Sequence, residues 1–130
     1  MLPFEGKKKM LFDFDRFTIA AKLAYRRRKG SAYSFDDVLK VFKYYFDTYE
    51  MVFDTAHPMI SVGQIAKIID KMPFIQDEDY ETRHMPDISP DNYMEIIDQH
   101  FITKYRKCDY NINHFFSGRI RDMRFYEVCY

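Results

Sequence analysis

The stretch Ser61-Val-Gly-Gln-Ile-Ala-Lys-Ile-Ile-Asp-Lys-Met-Pro73 is the clearest helix signal in the chain. Ser61 is a favoured N-cap residue, and Gln64 stands three positions later, where its side chain completes a capping box. Pro73 has no backbone N–H to continue a helix, so the helix ends before it. Apolar residues between these limits recur at i, i+3, i+4 and i+7, the spacing of one helix face: Ile65, Ile68, Ile69 and Met72.

A related pattern follows 28 residues later. Ser89 aligns with Ser61, and Pro90 occupies the first helical position, where proline is favoured. The triplet 96–98 then repeats the Ile-Ile-Asp of 68–70. The sequence therefore predicts a second helix of the same kind, and the echo between the two is at most a weak internal duplication.

Three more helices complete the expected architecture. One spans about 13–28, one begins after the N-cap Ser34 and runs to about residue 53, and the last begins after Ser117. In the last helix Ile120 and Met123 would face the core. Residues 74–86 suit a loop or a small hairpin. We predict an all-α or mostly α single domain over 1–130, a compact bundle of four to five short helices, with 1–12 as a flexible basic arm.

The charge is distributed unevenly although the chain has no net charge. Residues 1–31 carry nine Lys/Arg against three acids, residues 32–100 carry five against fourteen, and residues 101–130 carry six against three. Basic ends and an acidic middle are consistent with two arrangements. Either the ends bind a polyanion, or they fold onto the acidic middle of the same chain.

The two cysteines, Cys108 and Cys129, lack the spacing of a redox or zinc motif. No signal peptide is recognisable, and no apolar run reaches the roughly 18 to 20 residues that a membrane span needs. We therefore expect a cytoplasmic protein that does not enter a membrane.

Catalytic and metal signatures are weak. The four histidines and two cysteines are scattered, and the one trio worth naming as metal ligands or as a Cys–His pair is His100, Cys108 and His114. A glycine-rich phosphate loop cannot be built from the 4 glycines present. The expected protein is not an enzyme and has no cofactor or metal.

Nucleic-acid binding is the leading hypothesis for function. Arginine makes bidentate contacts with phosphate and guanine, and several basic residues near the C-terminus would share one outer face. A second basic group at the end of the first helix would add affinity, as would the run 7–9 (Lys-Lys-Lys). The predicted contact residues are Arg119, Arg121, Arg124, Lys104, Arg106 and Lys107, together with Arg26, Arg27 and Arg28.

The alternative is a protein-binding inhibitor. The chain is rich in Tyr and Phe, which are enriched in protein interfaces, and its middle is acidic. Such a factor would dock on a basic surface of a larger protein that handles nucleic acid. The residues predicted for this contact are Asp77, Glu78, Asp79 and Glu81.

The stretch Cys108-Asp-Tyr-Asn-Ile-Asn-His-Phe-Phe-Ser-Gly118, continued by Arg124-Phe-Tyr-Glu127, resembles the ending of small proteins carried on phages, plasmids and conjugative elements of Gram-positive gut bacteria. The resemblance extends back to about Ser34 and leaves out the basic residues 1–31. It implies a context and no particular activity. Small non-enzymatic proteins of mobile elements are typically DNA-binding regulators or inhibitors of host machinery, anti-CRISPR proteins among them.

Overall fold

The computed structural model describes residues 11–29, 33–74, 87–103, 108–117 and 119–129. The fold is all-α, as the sequence predicts. The described residues form six helices where four to five were predicted, because a four-residue helix, α5, precedes the last one. The helices are α1 (Phe14–Arg26), α2 (Phe35–Phe53), α3 (Val62–Lys71), α4 (Pro90–Ile102), α5 (Ile112–Phe115) and α6 (Ile120–Cys129).

The predicted helix starts are confirmed for α2, α3 and α4. Ser61 and Ser89 each cap a helix. In both helices the side chain of the third residue also accepts a hydrogen bond from the backbone N–H of the capping serine, Gln64 from Ser61 and Asn92 from Ser89. Ser34 caps α2 through the backbone N–H of Asp37. These bonds satisfy amide groups that a helix leaves without partners in its first turn.

The helices pack in pairs. α2 lies along α4, α1 along α3, and α6 along α4. α2 and α4 run in the same direction, since Lys40 pairs with Asp91 near their first turns and Phe53 meets Phe101 near their last.

The core is a single cluster to which all six helices contribute. Aromatic rings fill much of it, and Tyr45, Tyr93, Phe17 and Phe115 are each fully buried. Burying such a side chain stabilises the fold by about 2 to 3 kcal/mol. The high aromatic content of the sequence is thus largely explained by the packing between short helices.

Two predicted segments fall partly outside the described residues. The first is the expected arm, of which residues 1–10 are not described. The second is the expected loop or hairpin, of which residues 75–86 are not described. Phe12, the last residue of the expected arm, stacks on Phe46 at 4.1 Å between ring centroids, so the packed body already includes it. An isolated antiparallel bridge joins Phe74 to Asp87 at the two ends of the second segment.

The predicted orientation of α6 is wrong. Met123 was expected in the core but is 50% exposed, whereas Arg121 and Arg124 are buried. Ser117 is also not the cap position of α6, because the helix begins three residues later at Ile120, and the Ser117 hydroxyl donates to the carbonyl of His114 at 2.8 Å. The physical reason lies in the groups that Arg121 and Arg124 meet inside the protein.

Candidate nucleic-acid interface

Arg121 lies inside the protein beside the C-terminal end of α3. Its Nη1 donates to the carbonyl of Lys71 and to the hydroxyl of Tyr93, both at 2.6 Å, and its Nη2 donates to the carbonyl of Phe74 at 2.9 Å. Its Nε pairs with Asp122 at 2.7 Å. The last carbonyls of a helix lack partners and carry partial negative charge, so a guanidinium satisfies them well.

These contacts keep Arg121 charged in spite of burial. Burial alone would lower its pKa, but Tyr93 and Asp122 outweigh it and raise the pKa above the ordinary value. The pKa of the buried Tyr93 hydroxyl is raised to about 12, mainly by burial and against the influence of Arg121. Arg121 therefore acts as a structural clamp between α3, α4 and α6.

Arg124 is also buried, and it fixes the tautomer of His100. Its Nε donates to His100 Nδ1 at 3.2 Å, and its Nη1 pairs with Glu127 at 3.2 Å. Because Nδ1 is an acceptor, the proton of the neutral imidazole lies on Nε2. Burial, reinforced by the charge of Arg124, lowers the pKa of His100 to about 3.

The Nε2 atom of His100 lies 3.9 Å from Cys108 Sγ, so two members of the predicted trio do meet. The geometry does not suit a Cys–His dyad, because Nε2 already carries a proton and offers the thiol no lone pair. Within the described residues, no three His, Cys, Asp or Glu side chains come together as metal ligands.

The predicted C-terminal Arg/Lys face is therefore corrected at two of its positions. Arg121 and Arg124 contact carbonyls, Tyr93, His100 and carboxylates of their own helix, and they present no guanidinium face to a partner. Arg119 is exposed, as predicted. Two sets of predicted residues lie outside the described part of the chain: Lys104, Arg106 and Lys107 of this face, and the acidic Asp77, Glu78, Asp79 and Glu81.

The basic residues that the structure leaves at the surface are concentrated on α1. Phe17, Ala21 and Ala24 turn inward, and the opposite side of the helix presents Arg16, Ile19, Lys22, Leu23 and Arg26, which we name the α1 outer face. Arg16 and Arg26 are ten residues apart, or about 15 Å along a helix. Arg27 is exposed beside this face.

Within the described ranges of the chain, the cations of this face are not neutralised by other side chains. Arg16, Lys22, Arg26 and Arg27 form no side-chain ion pair or hydrogen bond in the described part of the chain. Arg28 differs, because its guanidinium lies 3.9 Å from the Tyr25 ring centroid and donates to the Tyr25 carbonyl. Of the predicted Arg26–Arg28 group, two members are thus exposed without partners and the third is held locally.

Two large apolar residues lie among these cations. Ile19 is 67% exposed and Leu23 is 44% exposed, and they are four residues apart on the same side of the helix. Neither residue was predicted from the sequence to lie at the surface. The pattern was readable, because the inward positions 17, 21 and 24 leave 16, 19, 23 and 26 on the opposite side.

Comparison with known proteins finds no matching family model, no similar curated protein and no similar solved structure. In the ranges that the structure describes, no helix is both long and apolar enough to cross a membrane.

Proposed function

We propose that the protein is a non-enzymatic accessory protein of a mobile genetic element that acts by binding nucleic acid through the α1 outer face. The observation that carries this proposal is the set of exposed, unpaired cations at Arg16, Lys22, Arg26 and Arg27. A basic stripe along a helix is the electrostatic footprint of phosphate binding. The proposal replaces the predicted contacts of Arg121 and Arg124 with contacts from α1.

The length of the face suits a run of phosphates. From Arg16 to Arg26 it covers about 15 Å, which corresponds to about four phosphates of one strand, measured along a duplex axis. Lys22, Arg26 and Arg27 lie toward the C-terminal end of α1, away from Asp13 and Asp15, whereas Arg16 lies beside these carboxylates in the first turn. A partner that aligns its phosphates with Lys22, Arg26 and Arg27 avoids those carboxylates.

Fluorescence anisotropy of a labelled mixed-sequence duplex, titrated at several salt concentrations, tests the proposal. The double variant Arg26→Gln/Arg27→Gln should weaken binding and reduce the slope of log K against log salt by about 2, since each lost phosphate contact lowers it by about one. The matched control Lys40→Gln/Lys43→Gln removes the same charge from lysines that pair with Asp91 and Asp47. The control should bind as the unchanged protein does.

Two results would count against nucleic-acid binding by α1. One is no binding even at low salt, and the other is an equal loss of affinity in the Arg pair and the Lys pair. The second result would mean that total charge matters and that the α1 outer face has no special role.

A second candidate function, inhibition of a nucleic-acid-handling host protein, is favoured by the exposed Ile19 and Leu23. Protein interfaces place apolar residues at the centre and charged residues at the rim, and the α1 outer face has this arrangement. The partner surface would be acidic with an apolar centre. This inhibitor differs from the one predicted from sequence, which would bind a basic surface through residues 77–81.

Ile19→Gln/Leu23→Gln separates the two functions. The variant keeps the cations Lys22, Arg26 and Arg27. If these residues bind the phosphates, its affinity for the duplex should stay within a factor of about two of that of the unchanged protein. If a protein partner is the target, this variant loses it, whereas Met123→Gln, which alters an apolar residue on α6 of exposure intermediate between those of Ile19 and Leu23, retains it.

A further inference from the structure

A small cleft lies between α3 and α5, apart from the α1 outer face. Its volume is about 170 Å³, and its lining includes Gln64, Lys67 and Lys71 of α3 with Asn113, Phe116 and Ser117 at and after α5. That space accommodates a phosphoryl group with a few attached atoms.

The charge of the lining has one sign. Among the described residues of the lining, Lys67 and Lys71 are the ionisable ones, and none is a carboxylate. Lys67 makes no ion pair or hydrogen bond to a described residue, so its ammonium group is not neutralised there. An unpaired ammonium that shares a small cleft with a second ammonium favours an anionic occupant.

Two of the polar groups are already oriented. Lys71 Nζ donates to the carbonyl of Phe116 at 3.0 Å, which fixes the side chain across the cleft and leaves two of its three N–H donors. The capping box directs Gln64 Oε1 to the backbone N–H of Ser61, so the Nε2 donors of this amide are available. Donors that are already fixed in position lose little conformational entropy when they bind an anion.

Arg121 adds positive charge behind this site. Its guanidinium carbon lies 5.6 Å from the centroid of the Phe116 ring, which forms one wall of the cleft. The dipole of α3 disfavours an anion in the cleft, because the cleft lies near the negative C-terminal end of this helix. Arg121 donates hydrogen bonds to the carbonyls of Lys71 and Phe74 at that end, and its positive charge offsets part of the repulsion between the helix end and an anion.

We propose that the cleft between α3 and α5 binds a phosphate group, held by the ammonium groups of Lys67 and Lys71 and by the amide of Gln64. The group is either free phosphate or the phosphomonoester of a nucleotide. Both sources present the same dianion to the two lysines, and a nucleotide would place its remaining atoms at the open side of the cleft. This inference does not depend on nucleic-acid binding by α1.

Titration of the isotope-labelled full chain with inorganic phosphate, followed by amide NMR shifts, tests the proposal. Saturable shifts are expected at Lys67, Lys71, Asn113 and Ser117, and sodium chloride at equal ionic strength should not reproduce them. Lys67→Gln should weaken binding at least tenfold. Lys43→Gln is the control, because its ammonium group pairs with Asp47 elsewhere on the surface.

A parallel titration with a nucleoside 5′-monophosphate distinguishes the sources. Tighter binding of the nucleotide identifies a phosphomonoester ligand, and equal binding identifies free phosphate. Lys67 is exposed, so its substitution should leave the fold intact, and the unperturbed part of the spectrum checks this. The proposal is overturned if shifts do not saturate, if they map to α1, or if Lys67→Gln and Lys43→Gln bind phosphate equally well.

Discussion

Tyr33 and Tyr93 donate their hydroxyl hydrogen bonds to the same acceptor, the carbonyl oxygen of Met72, at 3.2 and 2.8 Å. Tyr33 comes before α2 and Tyr93 lies in α4, so two distant parts of the chain meet at the end of α3. The one hydroxyl proton of Tyr33 is shared between the Met72 carbonyl and the carbonyl of Ile88. Burial raises the pKa of Tyr33 well above its ordinary value, so the proton is retained at all physiological pH values.

We expect Tyr33→Phe and Tyr93→Phe each to lower the free energy of unfolding by about 1 to 3 kcal/mol, because each leaves buried polar groups with fewer partners. The double variant should show coupling of at least about 0.5 kcal/mol, because Met72 then loses both donors. Urea unfolding measures all three. Tyr44→Phe, which removes a hydroxyl bond to the surface carboxylate of Asp98, is the control and should cost less than either. Strictly additive losses would show that the two hydrogen bonds to the Met72 carbonyl contribute independently to stability.

Replacement of Arg121 by Met should be the most damaging single change in α6. It leaves Asp122 buried without its cation and removes the donors to Lys71 and Phe74, and breaking a buried ion pair in this way costs about 3 to 5 kcal/mol. The measurement is the urea midpoint compared with that of Arg119→Met, whose arginine is exposed. If both variants unfold at the same urea concentration, Arg121 is not a clamp.

The N-caps of α3 and α4 should contribute measurably to stability. Ser61→Ala and Ser89→Ala each remove a hydroxyl that accepts a hydrogen bond from the third residue of the helix, a loss of about 1 kcal/mol. Ser117→Ala is the matched control, because its exposed hydroxyl caps no helix, and its effect should stay below about 0.5 kcal/mol. Thermal melts of the three variants decide the matter. An equally large loss at Ser117 would contradict the capping argument.

Stability should decrease as the pH falls below 6.5. Burial lowers the pKa of both His57 and His100, so the folded protein holds them neutral while the unfolded chain, with an ordinary pKa of about 6.5, takes up protons. The stabilisation is complete above that value and is lost progressively below it, at up to about 1.4 kcal/mol per pH unit for each histidine. For His100 the loss continues toward its folded pKa of about 3.

Urea unfolding at pH 7.5, 6.5 and 5.5 checks this dependence above the range in which most carboxylates titrate. His100→Gln should reduce the slope by about half, because one of the two histidines no longer takes up a proton on unfolding. A slope that His100→Gln leaves unchanged would show that neither the burial of His100 nor its bond from Arg124 governs the acid response.

The helices were predictable because their starts are local signals. Ser34, Ser61 and Ser89 accept hydrogen bonds from amides of the residues that follow them. The spacing of the apolar residues from Ile65 to Met72 indicates which side of α3 is buried. The orientation of α6 was not predictable in this way. Arg121 is buried because the end of α3 supplies its acceptors, and no property of residues near position 121 in the sequence indicates that.

The candidate binding surfaces were predictable to a smaller extent. Arg26 and Arg27 were expected at the surface and lie there, since they end a helix whose inward side is set by Phe17 and Ala24. The cleft beside Lys67 was not foreseen, because α5 and the residues after it approach α3 only in the folded chain. Local pattern identifies a helix face, and the tertiary fold decides which faces meet.

The clamp at the end of α3 also has a consequence for how the chain matures during synthesis. Arg121 follows Lys71, whose carbonyl it binds, by fifty residues. Until residue 121 has been synthesised, the carbonyls of Lys71 and Phe74 lack the donor that they have in the folded protein, so this part of the chain cannot complete its hydrogen bonds. The contact that joins α6 to the end of α3 is therefore among the last long-range contacts that synthesis makes possible.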